Sequence, residues 1–328
     1  MSELKVLERL LAEGKISRRE FLVRLSALGI SAALLPGLQG TPAYAATPKK
    51  GGRLRLGADS GSTTDSLDPA LGVATMSNII IHGQLYNNLV EIDHKSEAIP
   101  ELAESWESTP DAKKWVFQIR KGVEFHNGKT LDAEDVVFSI DHHRGDKKSG
   151  AKGAVKPIAS MKADGKNTVI FTLEEGNADF PYLMSDYHLG ILPAGTTDFQ
   201  KGIGTGGYSV VKFEPGVRCL TKRNPNYWKQ GRAHFDEVET IAMADSTARL
   251  NALRTGQIDY MSRVDTKVAG LLEQAPELQL INVTGTYHYC FNMLCDTPPF
   301  DNNDVRLAMK YAIEREALVK TVLRGYGP

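Results

Sequence analysis

Gly202, Gly204 and Gly207 spell G-x-G-x-x-G, a spacing that can lay backbone N–H groups against a pyrophosphate. That chemistry needs a strand before the glycines and a helix N-terminus after them. Here polar Asp198-Phe199-Gln200-Lys201 precedes, and the alternating run Tyr208 to Phe213 follows. Without a helix there is no dipole to hold a phosphate, so the run predicts a glycine-rich turn and no nucleotide. His142 and His143 beside Asp141 suggest metal, but adjacent residues on a helix point about 100° apart and cannot chelate one ion, so a solvated helix end is expected. Cys219, Cys290 and Cys295 are too few and too scattered for a disulfide framework or a closed zinc site. Whether Cys290 and Cys295 pair stays open, because their separation does not fix the geometry. G-x-S-x-G, H-E-x-x-H and thiol-nucleophile motifs are absent, and no carboxylate pair can be shown to be close. No catalysis, metal or cofactor is therefore expected.

The first 45 residues read as an address. Ser17-Arg18-Arg19-Glu20-Phe21-Leu22 carries a twin arginine, Leu25 to Leu38 holds no charge, and Ala43-Tyr44-Ala45 is a small-x-small cleavage site. Fourteen apolar-stretch residues reach roughly 21 Å as a helix, short of a hydrocarbon core of about 30 Å, which favours a cleaved signal over an anchor. Export of the folded chain by the twin-arginine route, with cleavage after Ala45, puts the site of action in the periplasm. In that setting the glycosylation pattern Asn282-Val283-Thr284 is idle. No cysteine lies near the cleavage site, so a lipid tether is not expected.

The elements that must position any site come from a chain of 328 residues with 39 Lys plus Arg against 40 Asp plus Glu. A formal charge of −1 supplies no basic field for a phosphate backbone, so nucleic acid is not an expected partner. Arg53 to Ala58, Trp115 to Arg120 and Thr168 to Leu173 alternate as strands, and Asp132 caps a helix with Val136, Val137 and Ile140 on its buried stripe. Tyr208 to Phe213 and Val217 to Arg223 flank Glu214-Pro215-Gly216 as a hairpin, followed by a strand over Val238 to Met243. Helices are predicted over Ser77 to Val90, from Asp245 to Gly256, and from Asn303 to Leu323. The fold class is α/β.

Several blocks, in order, resemble one family. They are Ser66-Leu67-Asp68-Pro69 with Leu85-Tyr86; Ile99-Pro100-Glu101-Leu102-Ala103-Glu104-Ser105-Trp106; WVFQIRKGVEFHNGK from Trp115; and LDAEDVVFSI from Leu131. GTGGYSVVKFEPG from Gly204, RNPNYW from Arg223, ALRTGQIDYM from Ala252 and PPFDNNDVRLAMKYAIEREALV from Pro298 continue the match. The chain is similar to the extracellular solute-binding proteins of family 5, which serve peptide- and nickel-type ABC importers. The resemblance implies a two-lobed periplasmic-binding-protein type II fold with a subdomain inserted in the first lobe. In that layout residues 46–93 and 180–282 form the first lobe, 94–179 the inserted subdomain, and 283–328 the start of a second lobe. Family members continue well past this point, so Pro328 reads as a truncation.

The resemblance also implies a monomer that captures a peptide or other small solute between its lobes and hands it to an inner-membrane permease with its ATPase. Relatives carrying nickel chelates, haem, opines or oligosaccharides keep those cargoes open, and a secreted peptide hydrolase is the rival class. In the family the segment after Leu-Asp-Pro lines the cleft, which here gives Val73, Ala74, Thr75 and Met76. The loop after Gly-x-Ile-Asp gives Met261, Ser262 and Arg263, with Arg263 a partner for a ligand carboxylate. Tyr287 and Tyr289, on a strand entering the second lobe, could stack on ligand, although core burial is the commoner fate of such aromatics.

Overall fold

A computed structural model describes residues 48–72, 74–145, 148–283 and 289–327. The chain divides into compact units 1–49 and 50–328, and the twin-arginine segment with its cleavage site lies outside the described residues. Unit 50–328 is built on two main sheets. β1 (Arg53–Ala58) is followed by α1 (Thr75–Ile80), a π turn over Ile81–Leu85, and the paired strands β2 (Val90–Ile92) and β3 (Ala98–Pro100). Next come β4 (Ala103–Ser108), β5 (Lys114–Ile119), α2 (Ala133–Gly145), β6 (Ile158–Ala163) and β7 (Thr168–Leu173), forming an antiparallel sheet of order β4-β5-β7-β6. The hairpin β8 (Tyr208–Glu214) and β9 (Arg218–Arg223) leads to β10 (Glu237–Ala242), α3 (Ser246–Arg254) and β11 (Tyr260–Met261). These join β1 in a five-stranded sheet of order β11-β1-β10-β9-β8, where β1 runs parallel to both β10 and β11. α4 (Thr266–Glu273), α5 (Asn303–Tyr311) and α6 (Arg315–Thr321) complete the chain.

Local chemistry explains the ends of these elements. Asp132 accepts from the Glu134 N–H at 3.1 Å, while Asp135 reaches back to the Asp132 N–H at 2.9 Å, a reciprocal cap that starts α2. Asp245 accepts from Ala248 N–H at 2.7 Å to open α3. The β4-β5-β7-β6 sheet buries Phe117, Val169 and Phe171 against Val136 and Ile140 of α2, and Phe180 stacks edge-on to Phe117. A second core beneath α1 gathers Ala58, Leu67, Met76, Ile80, Leu85 and Cys219.

Four expectations need correction. The helix predicted over Ser77 to Val90 stops early: the Tyr86 N–H bonds Ile81 O at 3.0 Å, and Tyr86 then turns extended. Buried Gln84 explains this, because its side chain joins Thr240 Oγ1 at 2.9 Å and Thr221 Oγ1 at 2.7 Å and draws the backbone onto the sheet. The helix predicted over Asn303 to Leu323 is two helices, parted where Glu314 adopts an extended backbone. No strand forms at Tyr289, and Tyr287 lies outside the described residues. The His142-His143 end of α2 is not solvated: His143 is fully buried, and His142 Nε2 sits 2.9 Å from Asp68 Oδ1 with its ring stacked on Phe199. His143 lies three residues beyond Ile140, on the helix's own buried stripe.

The glycine run forms a turn, as its flanks predict. Gly202 takes φ 58°, and a Cβ on Gly204 or Gly206 would overlap the backbone at Leu85 and Gln84. These glycines let the 202–207 backbone lie directly on the π turn. Cys219 is buried, and Cys290 and Cys295 are exposed free thiols.

Candidate functional site

The parallel strands β1 and β11 end side by side, with Gly57 opposite Met261. Asp59 is the first residue but one past that register, and Ser262 lies beside it. Three backbone segments meet there. Ser262 N–H donates to Gly57 O at 3.0 Å, and the Asp59 N–H donates to Ser262 Oγ at 3.0 Å. Ser60 holds the first turn of α1: its Oγ accepts from Thr75 N–H at 2.9 Å and its carbonyl from Met76 N–H at 3.0 Å. These bonds satisfy two of the orphan donors at a helix start.

Asp59 ties the end of β1 to residues 262–263, while Ser60 ties it to α1. Its Oδ1 accepts from Ser262 Oγ at 3.1 Å and its Oδ2 from Arg263 Nη1 at 3.2 Å. Burial pushes the Asp59 carboxyl up, but the neighbouring Thr75 and Ser262 hydroxyls and the Arg263 charge more than reverse this, leaving it below the usual carboxylate range. Arg263 has φ 50°, a left-handed backbone that a non-glycine residue adopts at a cost of about 1–2 kcal/mol. Strain of this kind gathers at sites where the surroundings dictate a side chain's aim. Buried Arg249 helps: its guanidinium donates to Met243 O and Ala244 O and, at 3.4 Å, to Arg263 O.

The residues singled out in the sequence therefore divide. Ala74, Thr75 and Ser262 are partly exposed and Arg263 is exposed, all at one edge of the five-stranded sheet. Met76 is wholly buried under α1, and Met261 is buried with Ala252 and Ile258, so neither offers a solute much side-chain surface. Val73 and Tyr287 lie outside the described residues, and Tyr289 is 75% exposed. Asp59 and Ser60 were missed, although a carboxylate directly after the strand ending at Ala58 was the available signal. A concavity of about 310 Å³ lies elsewhere, lined by Gln84, Asn87, Glu101, Tyr227 and Lys229 among others. Its polar atoms largely bond one another: Glu101 takes Asn87 Nδ2, Asn88 N–H and Lys229 Nζ at 2.5–2.8 Å. With its polar groups so engaged, the strand-end wall is the better candidate for binding. Among the described residues no group of three or more His, Cys, Asp or Glu side chains is placed to hold a metal ion.

The polar ends of parallel strands, with a helix start set beside them, are where open α/β sheets take ligands. Residues 97–328 match the bacterial extracellular solute-binding proteins, family 5, and the chain belongs to that family. It is 29% identical over 291 residues to heme-binding protein A of Haemophilus influenzae, covering 79% of this chain and 53% of that protein. It is 29% identical to the dipeptide-binding protein of Escherichia coli, covering 74% and 51%. Among solved structures, the Helicobacter pylori periplasmic binding protein DppA in complex with the peptide STSA superposes with a TM-score of 0.68 at 26% identity, covering 85% of this chain and 59% of that one. AgaA of A. tumefaciens R10, in complex with agropinic acid, superposes at 0.70 and 25% identity, covering 84% and 56%. The fold is thus that of the two-lobed periplasmic binding proteins, and the chain spans about half the length of the curated relatives it matches. Members of this family are binding proteins found outside the cytoplasmic membrane. No helix among the described residues is long and apolar enough to cross a membrane.

Proposed function

We propose that this chain is part of the periplasmic solute-binding component of an ABC importer, capturing a di- or oligopeptide, or a peptide-like solute, and delivering it to an inner-membrane permease and its ATPase. The observation that carries this reading is the convergence of residues 59–60, 74–76 and 261–263 at the C-terminal ends of β1 and β11. Extended peptides are held largely through their backbone groups, so one wall needs only a few well-aimed polar side chains. Thr75, Ser262 and Arg263 supply them, with Ala74 beside them; Val73, Tyr287 and Tyr289 belong to the same proposal from the family layout. Residues 46–93 and 180–282 form the lobe carrying this wall, 94–179 the inserted subdomain, and 283–328 open the second lobe. The protein binds without turnover, acts as a monomer, and reaches the periplasm by the twin-arginine route with cleavage after Ala45.

Native mass spectrometry of the full-length protein purified from the periplasm tests the reading. A co-purifying mass equal to a short peptide supports it. A nickel chelate, haem, an opine or an oligosaccharide in its place keeps the fold and changes the cargo. Steady consumption of an added peptide mixture would establish the hydrolase instead.

A further inference from the structure

We propose that Arg249 is a buried charge set behind the solute-facing wall, where its field favours solutes that bring an anionic group, a carboxylate in the case of a peptide. The proposal rests on the reading of this wall as solute-binding and adds the class of group it takes.

Arg249 lies in α3 and is 3% exposed. Its side chain runs past Gly57, where an added Cβ would lie 3.2 Å from Arg249 Cγ, and its guanidinium reaches the C-terminal ends of the strands. There Nη1 donates to Met243 O and Ala244 O, just past β10, and Nη2 donates to Arg263 O at 3.4 Å, just past β11. These partners are neutral carbonyls. Buried Nε has no acceptor, and among the described residues no carboxylate forms an ion pair with Arg249. Holding carbonyls takes donors, which a neutral side chain could supply. A guanidinium stays charged in proteins, and burying it without a counter-ion is costly. The charge is therefore what a role as a strut leaves unexplained.

The carboxylates around the wall are engaged elsewhere. Asp59 pairs with Arg263 at 3.2 Å, so these two charges largely cancel at a distance. Asp65 accepts from Ser62 N–H and Ser77 Oγ and so faces α1. Asp245 and Asp265 cap α3 and α4 in contact with solvent, where water screens them. A charge held in the protein interior acts through a medium of low dielectric, so its field reaches the wall with less screening. Arg249 Nη2 is one hydrogen bond away from the backbone of Arg263, and a solute group resting on residues 262–263 lies within that field. An anion is favoured there and an ammonium disfavoured.

The test uses full-length protein at about 0.15 M salt, where charges exposed to water are screened beyond roughly 8 Å. L-Alanyl-L-phenylalanine and its C-terminal amide serve as probes. Wild type should bind the free acid at least fivefold more tightly than the amide. Arg249→Gln removes the charge and should lower this ratio at least threefold, whereas Arg249→Lys keeps the charge, loses the fork and should hold the ratio within twofold. A ratio near one in wild type, or a lysine variant that falls as far as the glutamine variant, would show that Arg249 is only a strut. Should the glutamine variant not fold, the lysine variant decides alone, and a fall of more than twofold in it overturns the proposal. The second readout needs no solute. A thiol placed in the wall by Ser262→Cys, in protein carrying Cys290→Ser and Cys295→Ser, reports the local field through its thiolate fraction, and Cys219 is buried. Alkylation of that thiol by iodoacetamide at pH 7 should slow at least threefold with Arg249→Gln and stay within twofold with Arg249→Lys. Unchanged alkylation in the glutamine variant overturns the proposal. Wild type that binds neither probe contradicts the peptide reading of the protein, while the thiol still decides the role of Arg249.

Discussion

Glu101 is a buried carboxylate whose side chain is 5% exposed, and it works because every near donor is aimed at it. Its oxygens take the Asn87 amide, the Asn88 N–H and Lys229 Nζ, and Lys229 also reaches Glu91 at 2.7 Å. Burial lowers the Lys229 ammonium, but the two glutamates outweigh it and hold the pKa above its usual value. Breaking such a network from one side leaves a stranded charge, so Glu101→Ala should cost about 3–5 kcal/mol in chemical denaturation. A loss under about 1 kcal/mol would show that the network is dispensable. His143 makes a separate prediction. Burial, then the neighbouring His142, pushes it down to about 4, and its Nδ1 shares a 2.8 Å hydrogen bond with Ser149 Oγ. The unfolded chain therefore takes up this proton near pH 6.5 and the folded chain only near 4. Its contribution is fully present above about pH 6.5 and is lost as pH falls towards 4, amounting to about 3 kcal/mol. Stability measured across pH 4–7 should fall less steeply for His143→Asn than for wild type; parallel slopes would remove His143 as the cause.

At the scale of elements, much of the fold was legible in local patterns. Alternation marked β1, β5 and β7 to within a residue, and the paired turn residues Glu214-Pro215-Gly216 marked the β8–β9 hairpin. Less was legible where a distant partner decides. Nothing near Gln84 in the sequence announces Thr221 and Thr240, which pull it into the sheet and end the helical run. The wall depends on distance in the same way: residues 74–76 and 261–263 came from the family resemblance, and Asp59 is defined by bonds to residues up to 204 positions away. The glycine run shows the same dependence in a testable form. A Cβ at Gly204 would strike the Leu85 carbonyl and the Tyr86 ring, neither of which can yield easily. Gly204→Ala should destabilise by about 2–4 kcal/mol, judged by overpacking and displaced backbone. Gly153, in the single helical turn Lys152–Val155, has open space around it, and Gly153→Ala should stabilise by about 0.5–1 kcal/mol. Equal effects at the two sites would show that the close approach at Gly204 is not maintained in solution.

For the whole molecule, two events define the proposed role: arrival in the periplasm and capture of a solute. Arg18→Lys with Arg19→Lys should leave precursor in the cytoplasm if a folded-protein translocase reads the pair. Undiminished periplasmic yield would remove that route and leave the binding reading untouched. Capture is the central claim, and thermal unfolding of the full-length protein against a panel of short peptides, opines and nickel chelates tests it most directly. A solute that binds only the folded state raises stability by mass action, about 2.7 kcal/mol at 100 times Kd. The account predicts that at least one member of the panel raises the unfolding midpoint in a saturable way and is recovered intact by mass spectrometry. No shift with any member, together with measurable cleavage of a peptide, would contradict it.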